Sequence, residues 1–301
     1  MRIASFLPSA TEIVYALGLG DAVVAVSHDC DYPPDVRTKP VLSEAIVTTA
    51  LPSPTIDQRI RGQVHRGNSV YHLDQDELAR LHPNLILTQE LCTVCAPSYT
   101  LVKEVAKVLN ADVRIVSLEP HGLTDVLGTI LLVGQMTETE DRAMDLVARL
   151  RARIDAVRGR AAGLPRPCVV CLEWLDPLFV GGHWVPEMVA LAGGQDVLGR
   201  AGEPSFTVEW DAVVAAEPEV LVLMPCGFDV ARTRQELHLL MDRPGWTTLP
   251  AVRAGRVYLT DASAYFSRPG PRIVDGLELL AAILHPEAFA FTCPPAAAEL
   301  L

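Results

Sequence analysis

Apolar residues recur along this chain in two rhythms. Short continuous runs at Arg2–Leu7 (RIASFL), Val23–Ser27, Asn84–Gln89, Val113–Ser117, Cys168–Leu172, Glu219–Met224 and Arg256–Thr260 read as strands covered on both faces. Between them, apolar positions three and four apart read as helices: Asp74–Leu81, Ser98–Leu109, Gly122–Met136, Thr207–Ala216, Thr233–Asp242 and Pro271–Leu284. Ser9 and Glu12 have capping-box spacing ahead of a helix that ends at Gly18 and Gly20. A further helix starts at Pro186 and ends at Gly193-Gly194. The longest helical pattern runs from Thr137 to Gly163. Thr137 is the expected N-cap, acids stand in the first turn and arginines in the last, and Met144, Val147, Leu150, Ile154 and Val157 form the apolar stripe. From Glu138 to Arg160 such a rod is about 35 Å long.

The two halves of the chain, on either side of the rod, match each other. HLDQDELARLHPNLILTQ parallels FTVEWDAVVAAEPEVLVLMP, with acids seven and nine residues before Pro83 and Pro218: Asp76 and Asp211, Asp74 and Glu209. The fold class expected is α/β, with two lobes of mostly parallel sheet joined by one long α-helix. The boundaries expected are an N-terminal lobe over 1–121, linking helices over 122–163, a C-terminal lobe over 164–285, and a poorly ordered tail over 286–301.

Composition narrows the chemistry. With 301 residues, half of them hydrophobic, the chain can build two cores. A net charge of -12 argues against a nucleic-acid partner. No apolar run reaches the roughly 18 residues of a transmembrane helix. Pro8 breaks the first apolar run too early for a signal-peptide core, so a cytoplasmic protein is expected if Met1 is the native start, and an extracytoplasmic one if a leader has been removed. There is no G-x-S-x-G, H-E-x-x-H or P-loop, and Gly18-x-Gly20 follows a helix where a dinucleotide fingerprint needs a strand, so no bound nucleotide is expected. C-x-x-C occurs at Cys92/Cys95 and at Cys168/Cys171. Residues three apart on a strand point to opposite faces, so a structural zinc on Cys168 and Cys171 is not expected. Cys92 and Cys95, past a strand end, leave a thiol-redox pair open as an alternative.

Several motifs together resemble the substrate-binding proteins of ABC transporters for cobalamin and iron-siderophore complexes. They are RIASFLPSATEIVYALGLGDAVVAVS with Asp31-Tyr32-Pro33-Pro34 after it, the L-x-x-L-x-P-N-L-I-L run from Leu78 to Leu87, and DPLFVGG, LAGGQDVLG and YFSRPGPRI. DYPP and DPLF lean towards the cobalamin-binding branch. The resemblance implies Rossmann-like lobes clamping a ligand, little hinge motion, no enzymatic activity, and a monomer that docks on an ABC permease. Asp76 and Asp211, neighboured by Glu77 and Glu209, are by position the acids that would meet permease arginines.

In open α/β sheets ligands sit beyond the carboxyl ends of strands. That rule selects Pro8, Ser9, Tyr32, Tyr71, Gln89 and Glu90 in the first lobe. In the second it selects Trp174, Phe179, His183, Trp184, Phe206, Phe228, Phe266 and Arg268. A corrin is a large apolar disc fringed with amides, which such aromatics and a few polar groups suit. His183, in a glycine-bearing loop, is the candidate axial ligand to cobalt, with His28 behind it. The function expected is binding of cobalamin or a related corrinoid as a solute-binding component, carrier or sensor. The alternatives are a haem or ferric-siderophore binder, or a corrinoid-handling or thiol-redox enzyme.

Overall fold

The computed structural model describes residues 1–65, 71–89, 113–290 and 294–301. The helix expected at Ser98–Leu109, together with Glu90, Cys92 and Cys95, lies outside them. The chain divides into two units. Unit 1 holds residues 1–50, 58–120 and 124–148, and unit 2 holds 51–57, 121–123 and 149–301.

Unit 1 is built on β1 (Ile3–Ser5), β2 (Val23–Val26), β5 (Leu85–Thr88) and β6 (Arg114–Ser117), all parallel in the order β2-β1-β5-β6. β3 (Ser43–Ala45) and β4 (Tyr71–Leu73) form a separate antiparallel pair, so Tyr71 is a strand residue and does not lie beyond a strand end. Every residue of β1 and β5 is buried, which is why both read as unbroken apolar runs. Ala4, Phe6, Ala25, Leu42, Leu73, Leu78 and Ile86 make one core. The first helix is Pro8–Ala16 with Leu7 at the N-cap and no side-chain cap. Ser9 is therefore inside the helix, and the capping-box reading fails there, because Pro8 fits the first helical position.

Unit 2 carries the larger sheet, β10-β8-β7-β11-β12-β13, with β9 (Gln195–Asp196) beside β7. Its centre, β7 (Cys168–Leu175), β11 (Val220–Leu223) and β12 (Val257–Thr260), is parallel. β8 (Leu178–Val180), β10 (Phe206–Thr207) and β13 (Ala298–Leu300) are antiparallel additions. The strand expected to end at Leu172 is longer: β7 runs on to Leu175 and turns at Asp176-Pro177 into β8, which makes EWLDPLFV a hairpin. The chain's last residues, expected to lack order, pair with β12, because a strand added at a sheet edge satisfies its backbone groups whatever its side chains.

The internal repeat is visible in detail. Helix Gln75–Leu81 leads to β5 as helix Trp210–Ala215 leads to β11. The two connections share an uncommon backbone: His82 and Glu217, each directly ahead of a proline, take φ of 43° and 44°.

The long helix is Glu140–Ala161, 22 residues or about 33 Å, and the division between the units falls inside it, after Ala148. It starts three residues after the expected Thr137, because the Thr137 hydroxyl donates back to Val133 O at 2.7 Å and closes the preceding helix, Leu123–Met136. Glu138 then turns the chain with φ 58°. Ala143, Val147, Leu150, Val157 and Ala161 form the buried stripe, whereas Met144 is 54% exposed. At Gly134 any Cβ would lie 2.4 Å from that of Ala143, so glycine lets the two helices approach. In unit 1 Arg142 donates to Leu17 O at 2.9 Å, and in unit 2 Arg153 is bonded to Glu278 and Asp275.

Candidate ligand-binding site

The carboxyl ends of β7, β11 and β12 meet at one edge of unit 2. β7 bulges between Leu172 and Trp174, and Cys226 N–H donates to Glu173 O at 3.0 Å, which draws the loop after β11 alongside. The Trp174 and Phe228 rings lie 5.1 Å apart, tilted by 49°. Phe228 is enclosed, with the Arg232 guanidinium 4.2 Å over its ring. Ser263 N–H donates to Phe228 O and so ties in the segment after β12. There Asp261 caps helix Ala262–Tyr265 by accepting from Ala264 N–H at 2.9 Å. Burial pushes the Asp261 carboxyl above the ordinary aspartate range, the charge of Asp229 adds to this, and Arg268 and Arg272 act against it.

After β8 the chain passes through Gly181 and Gly182 into His183. A Cβ at Gly182 would sit 2.2 Å from Ser205 N, so only glycine lets the two backbones pass. Gly182 N–H donates to Glu173 Oε1 at 3.1 Å. His183 has φ 50° and is held by two backbone bonds: its N–H donates to Glu203 O at 2.6 Å, and its carbonyl accepts from Gly202 N–H at 2.8 Å. Trp184 is buried, and its Nε1–H donates to Phe266 O at 2.8 Å. The imidazole of His183 is therefore placed by a hydrogen-bonded backbone turn. Its ring centroid is 6.4 Å from that of His121 and 5.4 Å from that of Trp184. Burial, then the neighbouring His121, lowers the His183 pKa below the usual histidine value, which favours the neutral ring.

His121 is the residue that sequence reasoning passes over. It lies past the end of β6 (Ser117) and precedes helix Leu123–Met136, so the strand-end rule applied to β6 selects it. Its segment is fixed in unit 2 by Glu187, whose Oε2 accepts from Leu123 N–H at 2.9 Å.

Trp174 Nε1 and His183 Nε2 are both enclosed, and neither has a hydrogen-bond partner among the described residues. An orphaned buried polar atom costs about 1–3 kcal/mol. Both belong to unit 2, and a hydrogen-bond or coordination partner for either would relieve that cost.

The remaining candidates fall into groups. Phe179 and Arg268 are half-buried at this edge, and Phe206 lies on β10 under the Arg200 guanidinium at 4.8 Å. Phe228, Trp184 and Phe266 are all buried, so they pack the edge and present little surface. In unit 1, Pro8 and Ser9 are buried at the start of the first helix, Gln89 is buried just past β5, and Tyr32 is 44% exposed. Tyr71 is buried against His28 at 5.4 Å. His28 is engaged internally, with Nδ1 2.8 Å from Ser43 Oγ and Nε2 3.4 Å from the Asp29 carboxylate, which weakens its case as a metal ligand. Asp76 and Asp211 are exposed in the first turns of their helices. Their neighbour Glu77 is bonded to Arg80, a hydrogen bond that lowers its pKa.

Residues 3–264 match the profile of one family, described as periplasmic binding protein. The chain belongs to that family. The periplasmic binding protein fold, with two α/β domains and parallel sheets clad in helices, accounts for both units. A vitamin B12-binding protein of Vibrio vulnificus is 22% identical over 283 residues, which cover 92% of this chain and 87% of its own. An ABC transporter substrate-binding lipoprotein of Bacillus subtilis is 24% identical over 296 residues, covering 96% and 81%. A periplasmic heme binding protein from Pseudomonas aeruginosa superposes with a TM-score of 0.71 at 21% identity, covering 95% of this chain and 93% of that one. The family is one of solute-binding proteins and not of enzymes. As a member of this family the chain is a solute-binding protein that takes a small-molecule ligand.

Proposed function

We propose that this periplasmic binding protein binds a corrinoid, cobalamin or a close relative, at the strand ends that carry Trp174 and His183. The observation that carries the reading is the pair of enclosed ring nitrogens, Trp174 Nε1 and His183 Nε2, without hydrogen-bond partners among the described residues. A corrinoid offers what each lacks. Its amide fringe presents acceptor oxygens to an indole N–H, and its cobalt accepts a neutral imidazole. Phe179 and the Trp174 face supply flat apolar wall, and Arg268 a donor for amide or phosphate oxygens. The named activity of the Vibrio vulnificus relative supports this choice of ligand.

A second reading is haem. The imidazole of His183 suits iron as well as cobalt, and Arg268 and Arg272, both close enough to act on Asp261, suit the carboxylates of a porphyrin. The Pseudomonas aeruginosa protein, named for heme, favours it. Asp76 and Asp211 are the proposed docking acids for the permease.

Visible-range titration separates the readings. Hydroxocobalamin is expected to bind stoichiometrically at micromolar protein with a band shift, and His183→Asn to abolish that shift. Binding of hemin without any response to hydroxocobalamin decides for the second reading. An unchanged hydroxocobalamin spectrum in His183→Asn removes the axial-ligand assignment.

A further inference from the structure

We infer that His121 and His183 form a two-imidazole site for a divalent first-row transition-metal ion, taken up without any macrocycle. The inference goes beyond the corrinoid reading and does not rest on it. Three observations meet here. First, the two rings lie 6.4 Å apart, centroid to centroid, at an interplanar angle of 28°. With metal–nitrogen bonds of about 2.0–2.1 Å, two imidazoles on one ion have centroids about 5 Å apart at a tetrahedral angle and about 4.5 Å apart at the right angle of a tetragonal Cu2+ ion. The site thus needs an approach of about 1–2 Å and a turn of the exposed His121 ring out of its stacked arrangement.

Second, both rings are carried on backbone fixed within unit 2. His183 is set by its left-handed φ and its bonds to Glu203 and Gly202, and the segment bearing His121 by Glu187 on Leu123 N–H. Placing ligands in advance lowers the ordering cost of binding. Third, His183 Nε2 is enclosed without a partner among the described residues, an arrangement that a coordinate bond relieves.

The donor set selects the ion. No cluster of three or more metal-ligating side chains occurs among the described residues, so the remaining coordination positions go to water. Neutral imidazole suits Cu2+, Ni2+ and Zn2+, and at a site of unspecialised geometry Cu2+ binds tightest. The calcium and magnesium ions, which require oxygen ligands, are excluded.

The test is a Cu2+ titration of the purified full chain, read by isothermal calorimetry and electron paramagnetic resonance. One equivalent is expected to bind with nitrogen hyperfine structure from two imidazoles. His121→Ala and His183→Asn are each expected to weaken that equivalent at least about tenfold, the loss seen even when an outer partner of a metal ligand is removed. Asn is chosen at 183 because it tolerates a positive φ, and circular dichroism of each variant checks that the fold is kept. His72→Ala, which removes an exposed histidine of unit 1, is expected to leave the titration unchanged. Equal Cu2+ binding in wild type and His121→Ala overturns the two-imidazole site, as does a spectrum with a single nitrogen. Hydroxocobalamin titration of the same preparations reports on the corrinoid reading separately, since neither result entails the other.

Discussion

Asp196 ends β9 with its carboxylate unevenly served. Oδ1 accepts from Gly199 N–H at 2.7 Å and Leu198 N–H at 3.1 Å, while Oδ2 is enclosed without a partner among the described residues. Burial raises its pKa above the ordinary aspartate value, against the pull of the two N–H donors. The folded state therefore holds this proton to higher pH than the unfolded chain does. The resulting stabilisation is present below the ordinary aspartate pKa of about 3.9 and is lost as pH rises through the raised folded value. Asp196→Asn keeps the acceptor and removes the charge. It is expected to raise the melting temperature at about pH 7, with the difference closing towards about pH 4, as thermal unfolding across pH will show. Trp174→Phe tests the orphaned indole. Without ligand the variant is expected to be as stable as wild type or better by up to about 1–3 kcal/mol, because an unsatisfied N–H is removed. Its affinity for the ligand is expected to fall. Denaturant unfolding measures the first effect and calorimetric titration with hydroxocobalamin the second. At this scale the sequence selected Trp174 and His183 from strand ends alone. It did not reveal which ring nitrogens lack partners, because that depends on every atom around them.

Among the elements, the turn from β8 into helix Val185–Leu191 decides where His183 stands. Gly182→Ala drives a Cβ into the Ser205 backbone, which cannot yield as a side-chain end would. The expected cost is about 1–3 kcal/mol in denaturant unfolding, together with loss of the His183-dependent spectral shift. The start of helix Ser53–His65 provides a second case. Ser53 N–H donates to Glu236 Oε1 at 2.8 Å, the Ser53 hydroxyl donates to Oε2, and Arg232 bonds both Glu236 at 2.6 Å and Leu51 O at 2.7 Å. The Glu236 side chain is only 6% exposed. Glu236→Ala leaves Arg232 and Ser53 without this acceptor and is expected to cost about 3–5 kcal/mol in chemical unfolding. Helix starts differ from the sequence reading by a few residues, as at Pro8 and Glu140. Capping residues such as Thr137 serve either of two adjoining helices, and local pattern does not say which.

For the whole molecule, a net charge of -12 and two exposed acids in matching first turns bear on the proposed permease partner. Asp74 caps its helix through Glu77 N–H, and Glu77 is engaged with Arg80, which leaves Asp76 as the outward acid of that turn. Asp211 takes the equivalent place after Glu209, where no side-chain cap forms. Asp76→Arg with Asp211→Arg is expected to suppress ligand-dependent stimulation of the permease ATPase in proteoliposomes, while ligand titration of the soluble variant stays unchanged. Stimulation at wild-type level assigns docking to other residues.

By itself the sequence located the parallel strands β1, β2, β5, β6, β7, β11 and β12, the repetition of one α/β pattern on either side of a long helix, and the strand ends where the site candidates lie. Those features are local. They arise from apolar runs, periodicities of three and four, and turn residues, each legible within a window of about 11–18 residues. Only the tertiary structure decided the rest. It turned EWLDPLFV into a hairpin, gave the last residues an edge of β12 to pair with, moved Met144 off the buried stripe, and enclosed Phe228 and Phe266. It also brought His121 against His183, which no periodicity connects. Such pairings join residues distant along the chain, and their energies come from burial and backbone hydrogen bonds that exist only once both partners have folded.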